Sequence, residues 1–460
     1  MYISKVELKN IRGVGPKGLS VNFASTAFPR RSSLAGWHVI AGSNGAGKTT
    51  ILQAMAASLL GGSGSAWLFR PEDRKDWIHR KGTTESTADS GSTCTWIERA
   101  PDDDDAPPAE RSVAPVPLRV EWNRDSSGVR EIPPDGDHSV ILNQFWQAAT
   151  FGAQPKGWMF AAYGPHRGNR QSSPDATSLF KAAPRTAAVV TLFRQDAGLD
   201  GVNSWLMELE LRAARKQGAD AEALRDGILR LLGHGLIVPD AQTRMKLESD
   251  GLHVHWQGAW RPARLLGDGY YSTLALVTDL LLRIEQFKPG RLLQDILRWG
   301  PQEDAPIGVE FSGVIVIDEP ESHLHPELQQ RLGFWLKTHF PRMQFIVTTH
   351  SPLVCQAAEQ GGLFRMPKTG KIEPVDEATW ALAVNGTLDT AVVSHLFGLE
   401  TPESTRAGVD RRRLGALLTK AIREGELDPG EATERDQLER RLPTDPDYRL
   451  DTLVRAFLKR

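Results

Sequence analysis

The chain has 460 residues, of which 40% are hydrophobic and 24% are charged, and its formal net charge is −2. This length predicts one large domain with insertions, and the composition is typical of a soluble globular protein. The nearly neutral charge excludes bulk electrostatic attraction to nucleic acid, so any DNA contact would require a local basic patch.

The cysteines and the N-terminus indicate the cellular location. Cys94 and Cys355 are the only cysteines, which excludes a disulfide framework or a cysteine-rich zinc site and fits a reducing compartment. A polar and a charged residue interrupt the apolar positions of residues 1–5, unlike in a signal peptide. No segment reaches the ~18 consecutive apolar residues of a membrane helix. We therefore expect a cytoplasmic protein without a membrane segment.

In chain order, the first elements lead into a glycine-rich loop. Residues 2–10 alternate as a half-exposed strand does, residues 37–41 form a short apolar strand, and residues 49–60 have helical spacing up to Gly61 and Gly62. Between strand and helix lies the pattern G-x-x-x-x-G-K-T followed by a second threonine, comprising Gly42, Ser43, Asn44, Gly45, Ala46, Gly47, Lys48, Thr49 and Thr50. A preceding strand and a following helix are the context that a phosphate-binding loop requires.

The chemistry of this loop predicts an ATP site with Mg²⁺. Glycines allow successive backbone N–H groups to point at phosphate oxygens, and the N-terminus of the following helix adds partial positive charge. We expect Lys48 to bridge the β- and γ-phosphate oxygens and the Thr49 hydroxyl to ligate Mg²⁺.

Residues 1–62 would form a first ATPase lobe, and residues 63–157 are predicted to be a β-rich insertion. Residues 93–98 and 117–122 have strand patterns, and the acidic stretch at 101–108 indicates a solvated surface loop.

Residues 158–265 are predicted to be a strand followed by a helical subdomain. The strand covers 158–163, helical spacing covers 203–233, and residues 252–256 alternate as a second strand. The apolar positions of the helical part do not hold the sustained heptads of a coiled coil.

Residues 266–370 would form a second ATPase lobe with the acidic catalytic candidates. An apolar strand at 313–317 leads into Asp318 and Glu319, and at its end the Asp318 carboxylate can face the Mg²⁺ bound near Thr49. Because strand side chains alternate, Glu319 is expected to point elsewhere and to orient or deprotonate the attacking water.

A helix at 327–340 leads into a second strand, at 344–348, and His350 lies just after the end of that strand. This spacing predicts that His350 contacts the γ-phosphate. His323 and His325 follow the two acids, and we expect them to shape that loop rather than to bind a metal.

Residues 371–460 are predicted to be a helical C-terminal region, with helices at 411–424 and 433–442. Asp445 and Asp447 have D-x-D spacing but follow no apolar strand, so we expect no nuclease metal site there.

These motifs together resemble the ABC-type ATPases of the SMC/RecF/OLD group. The resemblance rests on DEPESHLHP at residues 318–326, FIVTTHSP at 345–352 and LGDGY at 266–270, and residues 6–13 are similar to the group's first strand. AYGPHR at residues 162–167 resembles a segment of short OLD-like ATPases of bacterial anti-phage systems, of the Septu, retron or PARIS type.

The resemblance implies an α/β fold, an ABC-type P-loop NTPase head with a mixed central sheet. Two such heads sandwich two ATP molecules, so we expect a homodimer or higher homo-oligomer in which Asp268 and Gly269 of one head contact the ATP of the other. Gly267 stands where the group usually has serine, which removes one hydroxyl from that contact. Gln144 and the segment 163–167 are alternatives for the group's glutamine loop.

Three functions compete on this basis. The first is a slow, regulatory ATPase subunit that controls a separately encoded nuclease or toxin in anti-phage defence. The second is a RecF-like repair ATPase that clamps DNA, and the third is a transporter ATPase, which the segments 162–167 and 318–326 disfavour. The absence of a recognisable nuclease site favours control of a separate effector, and the absence of a long coiled coil argues against a chromosome-bridging SMC protein.

Overall fold

A computed structural model describes most of the chain. The described residues are 1–24, 34–69, 76–78, 80–81, 85–86, 90–98, 115–123, 129–132, 159–168, 172–180, 184–199, 201–215, 219–239, 241–299, 307–367, 371–397 and 404–442. The acidic loop at 101–108, Gln144, Asp445 and Asp447 lie outside them.

The β-strands lie between residues 2 and 374, with helices between many of them. They are β1 (Tyr2–Lys9), β2 (Leu19–Asn22), β3 (Gly36–Gly42), β4 (Arg80–Lys81), β5 (Glu85–Ser86), β6 (Ser90–Glu98), β7 (Val116–Asn123), β8 (Val129–Ile132), β9 (Met159–Tyr163), β10 (Met245–Glu248), β11 (Gly251–Trp256), β12 (Ala259–Pro262), β13 (Gly313–Asp318), β14 (Met343–Thr349), β15 (Leu363–Met366) and β16 (Glu373–Pro374).

The helices lie between the strands and continue after the last of them. They are α1 (Lys48–Ala66), α2 (Pro174–Phe180), α3 (Pro184–Ala187), α4 (Val190–Phe193), α5 (Gly201–Ala214), α6 (Ala219–Gly233), α7 (Asp268–Phe287), α8 (Arg291–Trp299), α9 (Pro326–His339), α10 (Pro352–Cys355), α11 (Glu377–Asn385), α12 (Leu388–Val393), α13 (Thr405–Glu424) and α14 (Pro429–Arg441), with a 3₁₀ turn at Ala263–Leu265.

A mixed sheet carries the sequence motifs. Its order is β16-β15-β3-β14-β13-β9, and β15, β3, β14, β13 and β9 run parallel, while β16 is antiparallel. The residues of β13 and β14 are buried throughout, as expected for central parallel strands. In such sheets, ligands bind at the carboxyl ends of the strands, and here the glycine-rich loop, Asp318 and His350 all follow such ends. The predicted α/β class with a mixed central sheet is confirmed.

A second, antiparallel sheet has the order β2-β1-β6-β7-β8. In β6 and β1, Glu98 pairs with Tyr2 and Ser92 with Lys9. The strands predicted within residues 63–157 therefore exist, but they are not a separate insertion, because they complete a sheet begun by the N-terminal strand. Sequence patterns show that a segment is extended and do not show which strand it pairs with.

Helix α1 lies between the two sheets and packs against strands of both. Apolar residues such as Ile51, Leu52 and Met55 are buried on several sides of it, which fits a helix without a solvent face. The predicted stop at Gly61 is a kink, since Gly61 has φ 70° and the helix resumes up to Ala66.

The predicted helical stretch at 203–233 is two helices, α5 and α6, and α5 packs against α6, α7 and β11. Helix α7 begins at Asp268, so its first turn contains Asp268 and Gly269. Gly267 precedes it with φ 100° and ψ 150°.

Two compact units divide the chain, Met1–Ala391 and Val392–Arg460. In the second unit, the predicted helices at 411–424 and 433–442 correspond to α13 and α14. Ion pairs join these two helices, Arg413 with Glu434 at 2.7 Å and Lys420 with Glu431 at 2.7 Å. Among the described residues, no helix is long and apolar enough to cross a bilayer.

Candidate functional site

The glycine-rich loop connects β3 to α1 at the carboxyl edge of the mixed sheet. Lys48 lies in the first turn of α1, and its Nζ donates to the Gly42 carbonyl at 2.8 Å and to the Ser43 carbonyl at 3.1 Å. Burial lowers the pKa of Lys48, while the charges of Glu319, Asp318 and Glu321 raise it. This ammonium group therefore lies inside the loop, where phosphate oxygens can replace the carbonyl oxygens as acceptors.

Thr49 and Asp318 meet beside Lys48, although they are far apart in sequence. The Thr49 hydroxyl donates to Asp318 Oδ2 at 2.7 Å. Thr348, which pairs with Asp318 between β14 and β13, donates its hydroxyl to Asp318 Oδ1. Burial raises the pKa of Asp318, and the two hydroxyl donors oppose that shift. One buried carboxylate and one hydroxyl are hard oxygen ligands of the kind that Mg²⁺ prefers.

These residues fit a metal that a nucleotide helps to bind. Within the described residues no group of three or more His, Cys, Asp or Glu side chains could hold a metal ion. Mg²⁺ sites of nucleotide enzymes commonly use one or two carboxylates together with substrate phosphates and water. Thr49 and Asp318 match that pattern, with Lys48 beside them for the phosphates.

Glu319 leaves the strand in a left-handed turn, with φ 45°. Strand alternation was expected to turn the Glu319 side chain away from that of Asp318. That reason is wrong, because β13 ends at Asp318 and Glu319 lies outside the strand. The carboxylate Oε1 of Glu319 lies 3.7 Å from His350 Nδ1. The predicted water-activating residue and the predicted γ-phosphate contact are therefore neighbours.

A third carboxylate, Glu321, holds His350 in place. Glu321 Oε1 lies 3.2 Å from His350 Nδ1 and accepts from the His350 backbone N–H at 2.9 Å and from the Thr349 hydroxyl at 2.5 Å. The Glu321 side chain is buried, whereas the His350 side chain is 48% exposed. Sequence reasoning treated Glu321 only as part of a motif; its position two residues after Glu319 was the available signal.

The histidines of the following loop have separate positions. His325 is the N-cap of α9, and its Nδ1 accepts from the Glu327 N–H at 3.4 Å. His323 has φ 65°, and its carbonyl oxygen lies against Gly269, where a Cβ atom would be only 2.6 Å away. This loop therefore packs against the first turn of α7.

Asp268 and Gly269 make no polar contact, by hydrogen bond or ion pair, with the glycine-rich loop (residues 42–50) of the same chain within the described residues. Asp268 is exposed. That position agrees with the predicted contact to a second head, which itself stays a prediction.

The segment after β9 lies beside the metal-binding residues, because β9 pairs in parallel with β13. A cavity of about 600 Å³ is lined by Thr49, Asp318 and His166, and by Gln53 one helical turn after Thr49. The segment 163–167, one of the two alternatives for the glutamine loop, lies at this edge with His166 in the cavity; the other alternative, Gln144, lies outside the described residues.

Gln53 and Arg12 were missed by sequence reasoning. Arg12 Nη1 donates to Gln53 Oε1 at 3.0 Å, and Arg12 stacks over the Trp77 ring at 4.4 Å. Gln53 could have been found from its i+4 spacing to Thr49 on one helix face. The position of Arg12 depends on the antiparallel sheet, which the sequence did not reveal.

Comparison with known proteins adds family information. A family model described as "AAA domain, putative AbiEii toxin, Type IV TA system" matches residues 96–356, more than half of the chain, and a model described as "AAA domain" matches residues 5–92. A Septu protein PtuA of Bacillus mycoides (strain KBAB4) is 23% identical over 355 residues, covering 76% of this chain and 38% of that protein. The Retron Ec83 probable ATPase of Escherichia coli is 29% identical over 173 residues, covering 34% of this chain and 28% of that protein.

These relatives confirm the resemblance to Septu- and retron-type ATPases. The chain spans only about a third of the length of those relatives. Among solved structures, an SMC head bound to the C-winged helix domain of ScpA aligns with a TM-score of 0.45 and 19% identity, covering 82% of this chain and 98% of that one.

Proposed function

The chain belongs to the AAA-domain family whose model spans residues 96–356, and from that premise we propose that it is an ATP-binding and ATP-hydrolysing head of the ABC type. The observation that carries the proposal is the convergence of Lys48, Thr49, Asp318, Glu319 and His350 at one sheet edge. These residues come from three separate segments, 48–49, 318–319 and 350, and each has the side-chain chemistry that its proposed role requires.

Each group has one role in this proposal. The backbone N–H groups of residues 42–50 and the Lys48 ammonium bind the β- and γ-phosphates, where they stabilise negative charge. Thr49 and Asp318 would hold Mg²⁺, which supplies charge neutralisation on the phosphate oxygens. Glu319 orients or deprotonates the attacking water, and His350, positioned by Glu321, contacts the γ-phosphate.

The active form is a pair of heads. We propose that Asp268 and Gly269, in the first turn of α7, complete the ATP site of a second copy of the chain. The exposure of Asp268 supports this arrangement, as does the partial positive charge that a helix N-terminus directs at an anion.

The biological role that we propose is control of a separately encoded nuclease or toxin in anti-phage defence. The Septu and retron relatives support it by their names. A nucleotide can bias such a partner only through its differential affinity for the two states of the head, so hydrolysis would act as a slow switch. The second compact unit offers a surface for a partner, since Val409 and Ile422 on α13 are exposed.

The ATP site is tested by Lys48→Ala. Removing the ammonium group deletes a charge-assisted contact to phosphate, and we expect the Kd for ATP to rise at least about tenfold, equivalent to about 1.4 kcal/mol. Isothermal titration calorimetry with Mg²⁺ and ATP measures it. Lys337→Ala is the matched control, because Lys337 on α9 donates to the Ala357 carbonyl and pairs with Glu359 away from the loop. Unchanged affinity in Lys48→Ala would contradict the assignment.

A further inference from the structure

A buried arginine, Arg167, lies beside the acidic residues without touching their carboxylates. It follows β9 by four residues, and its side chain is only 2% exposed. Its Nη1 donates to the Gly164 carbonyl at 2.9 Å, the Asp318 carbonyl at 3.2 Å and the Glu319 carbonyl at 3.5 Å. Its Nη2 donates to the Pro320 carbonyl at 2.9 Å. One guanidinium group therefore gathers three consecutive carbonyl oxygens at the end of β13.

Those carbonyl contacts determine how the chain leaves the strand. Glu319 has φ 45°, a left-handed conformation that costs a non-glycine residue about 1–3 kcal/mol and persists only where its surroundings hold it. The Glu319 N–H donates to the Thr348 carbonyl at 3.1 Å, and the Glu319 carbonyl accepts from Ser322 N–H at 3.1 Å as well as from Arg167. Arg167 thus supports the Glu319 backbone from the side opposite β14.

The charge of Arg167 has a second effect. Burial lowers the pKa of Arg167 to about 10, while the charges of Glu321, Asp318 and Glu319 raise it, so the group stays cationic at neutral pH. The Lys48 ammonium group is a second cation at this edge, and its charge lowers the pKa of Asp318. A buried cation next to the three carboxylates reduces their mutual repulsion.

We propose that Arg167 is a positioning residue for hydrolysis, holding the Glu319 backbone in the left-handed turn that aims its carboxylate at the water and at His350. The proposal rests on the assignment of this edge as an ATPase site. Arg167 does not touch the nucleotide; it acts through Glu319. A displacement of about 1 Å in a catalytic group can reduce a rate about a hundredfold, so loss of this support is expected to be visible in kcat.

The variant that tests it is Arg167→Lys. Lysine keeps the positive charge, but an ammonium group cannot span carbonyl oxygens as the planar guanidinium fork does. We expect kcat for ATP to fall about tenfold to a hundredfold, the KM and the Kd for ATP to stay within about threefold, and stable trapping of ADP with aluminium fluoride to be lost. Binding of ATP in the ground state would then be retained while stabilisation of the transition state is reduced. This is the result expected when a contact made only in the transition state is removed.

Arg185→Lys is the matched control, because Arg185 is another buried arginine, on α3. We expect it to leave aluminium fluoride trapping intact. If Arg167→Lys does not fold, as judged by its circular dichroism spectrum, Arg167→Gln replaces it, since an amide still donates to a carbonyl oxygen.

A double-mutant cycle distinguishes positioning from a general structural role. In the Glu319→Gln background, single-turnover hydrolysis should fall less than about twofold on adding Arg167→Lys, because the group that Arg167 positions no longer acts as a base. An equal loss in both backgrounds, or a parallel loss of ATP binding and of turnover, would overturn the proposal. A parent protein that binds no ATP would instead refute the proposed function, whereas full turnover in Arg167→Lys refutes only the role of Arg167.

Discussion

At the residue scale, His350 contacts two carboxylates of different character. Glu321 is buried and already accepts two other hydrogen bonds, whereas Glu319 makes the longer contact of 3.7 Å. A base needs a carboxylate that can reach water, and a positioning residue needs one that is fixed by its neighbours. This difference supports the proposed roles, in which Glu319 activates water and Glu321 orients His350.

Glu319→Gln tests that division. The amide keeps the shape and can still hydrogen-bond, but it cannot accept a proton, so kcat should fall by about 10²–10⁴ with ATP affinity retained. Phosphate release under saturating ATP measures the rate, and titration calorimetry measures binding. Glu327→Gln, at an exposed position in the first turn of α9, should retain the parent rate. Parent-like turnover in Glu319→Gln together with loss of turnover in Glu321→Gln would assign the base to Glu321.

At the scale of the element, the start of α7 explains why glycine occupies position 267. Its φ of 100° and ψ of 150° lie in a region that is essentially restricted to glycine. The serine that the resembling group usually has here would be strained in this helix start. The neighbouring Gly269 is constrained differently, since any side chain there would meet the His323 carbonyl of the same chain. A bulky residue at Gly269 would thus disturb its own head before it reached a partner.

Gly267→Ser should therefore destabilise the protein instead of improving a contact to a second head. The strain is expected to lower the free energy of unfolding by about 1–3 kcal/mol, seen as a lower midpoint in urea. Gly201→Ser, at the first residue of α5, is the control, because a Cβ there meets nothing within 4 Å and its φ is not in the left-handed range; its effect should stay within about 0.5 kcal/mol. A Gly267→Ser protein with parent stability and faster ATP turnover would contradict this explanation.

At the scale of the whole molecule, the proposed pairing of heads depends on the surface around Asp268. Leu265, in the turn just before this position, is 68% exposed. A large exposed apolar side chain beside a helix start is compatible with burial against a second copy, although single exposed hydrophobics are common on protein surfaces. The second compact unit is held by its own ion pairs between α13 and α14.

Leu265→Asp tests the pairing. Leu265 would be covered by the second copy in the proposed pair, so a carboxylate at this position would be buried without a partner, and ATP-dependent dimerisation should be lost. Multi-angle light scattering of Glu319→Gln protein with ATP, with and without Leu265→Asp, measures it. Leu382→Asp, an exposed leucine on α11, should leave the dimer intact. If Glu319→Gln protein stays monomeric with ATP at every concentration tried, the paired arrangement is refuted.

The sequence predicted those helices, strands and loops whose conformation is set by residues close to one another in the chain. The glycine-rich loop between β3 and α1, the apolar strands ending at Asp318 and near His350, and the helices α9, α13 and α14 all follow from local patterns. Hydrophobic periodicity and loop chemistry act over a few residues, and that range is what a sequence displays. The residue types of the proposed ATP and Mg²⁺ site were predicted in the same way.

Only the tertiary structure decided which segments meet. Three contacts join residues that are distant in sequence: the pairing of β1 with β6, the contact of Arg167 with the end of β13, and the contacts of Glu319 and Glu321 with His350. The left-handed backbone at Glu319 is a fourth feature that the sequence pattern did not predict. A strand pattern has period two whichever strand it pairs with, and a buried cation finds its acceptors among carbonyl oxygens that every residue carries. Neither choice is visible in local sequence patterns, because both depend on which distant segments pack together in the folded chain.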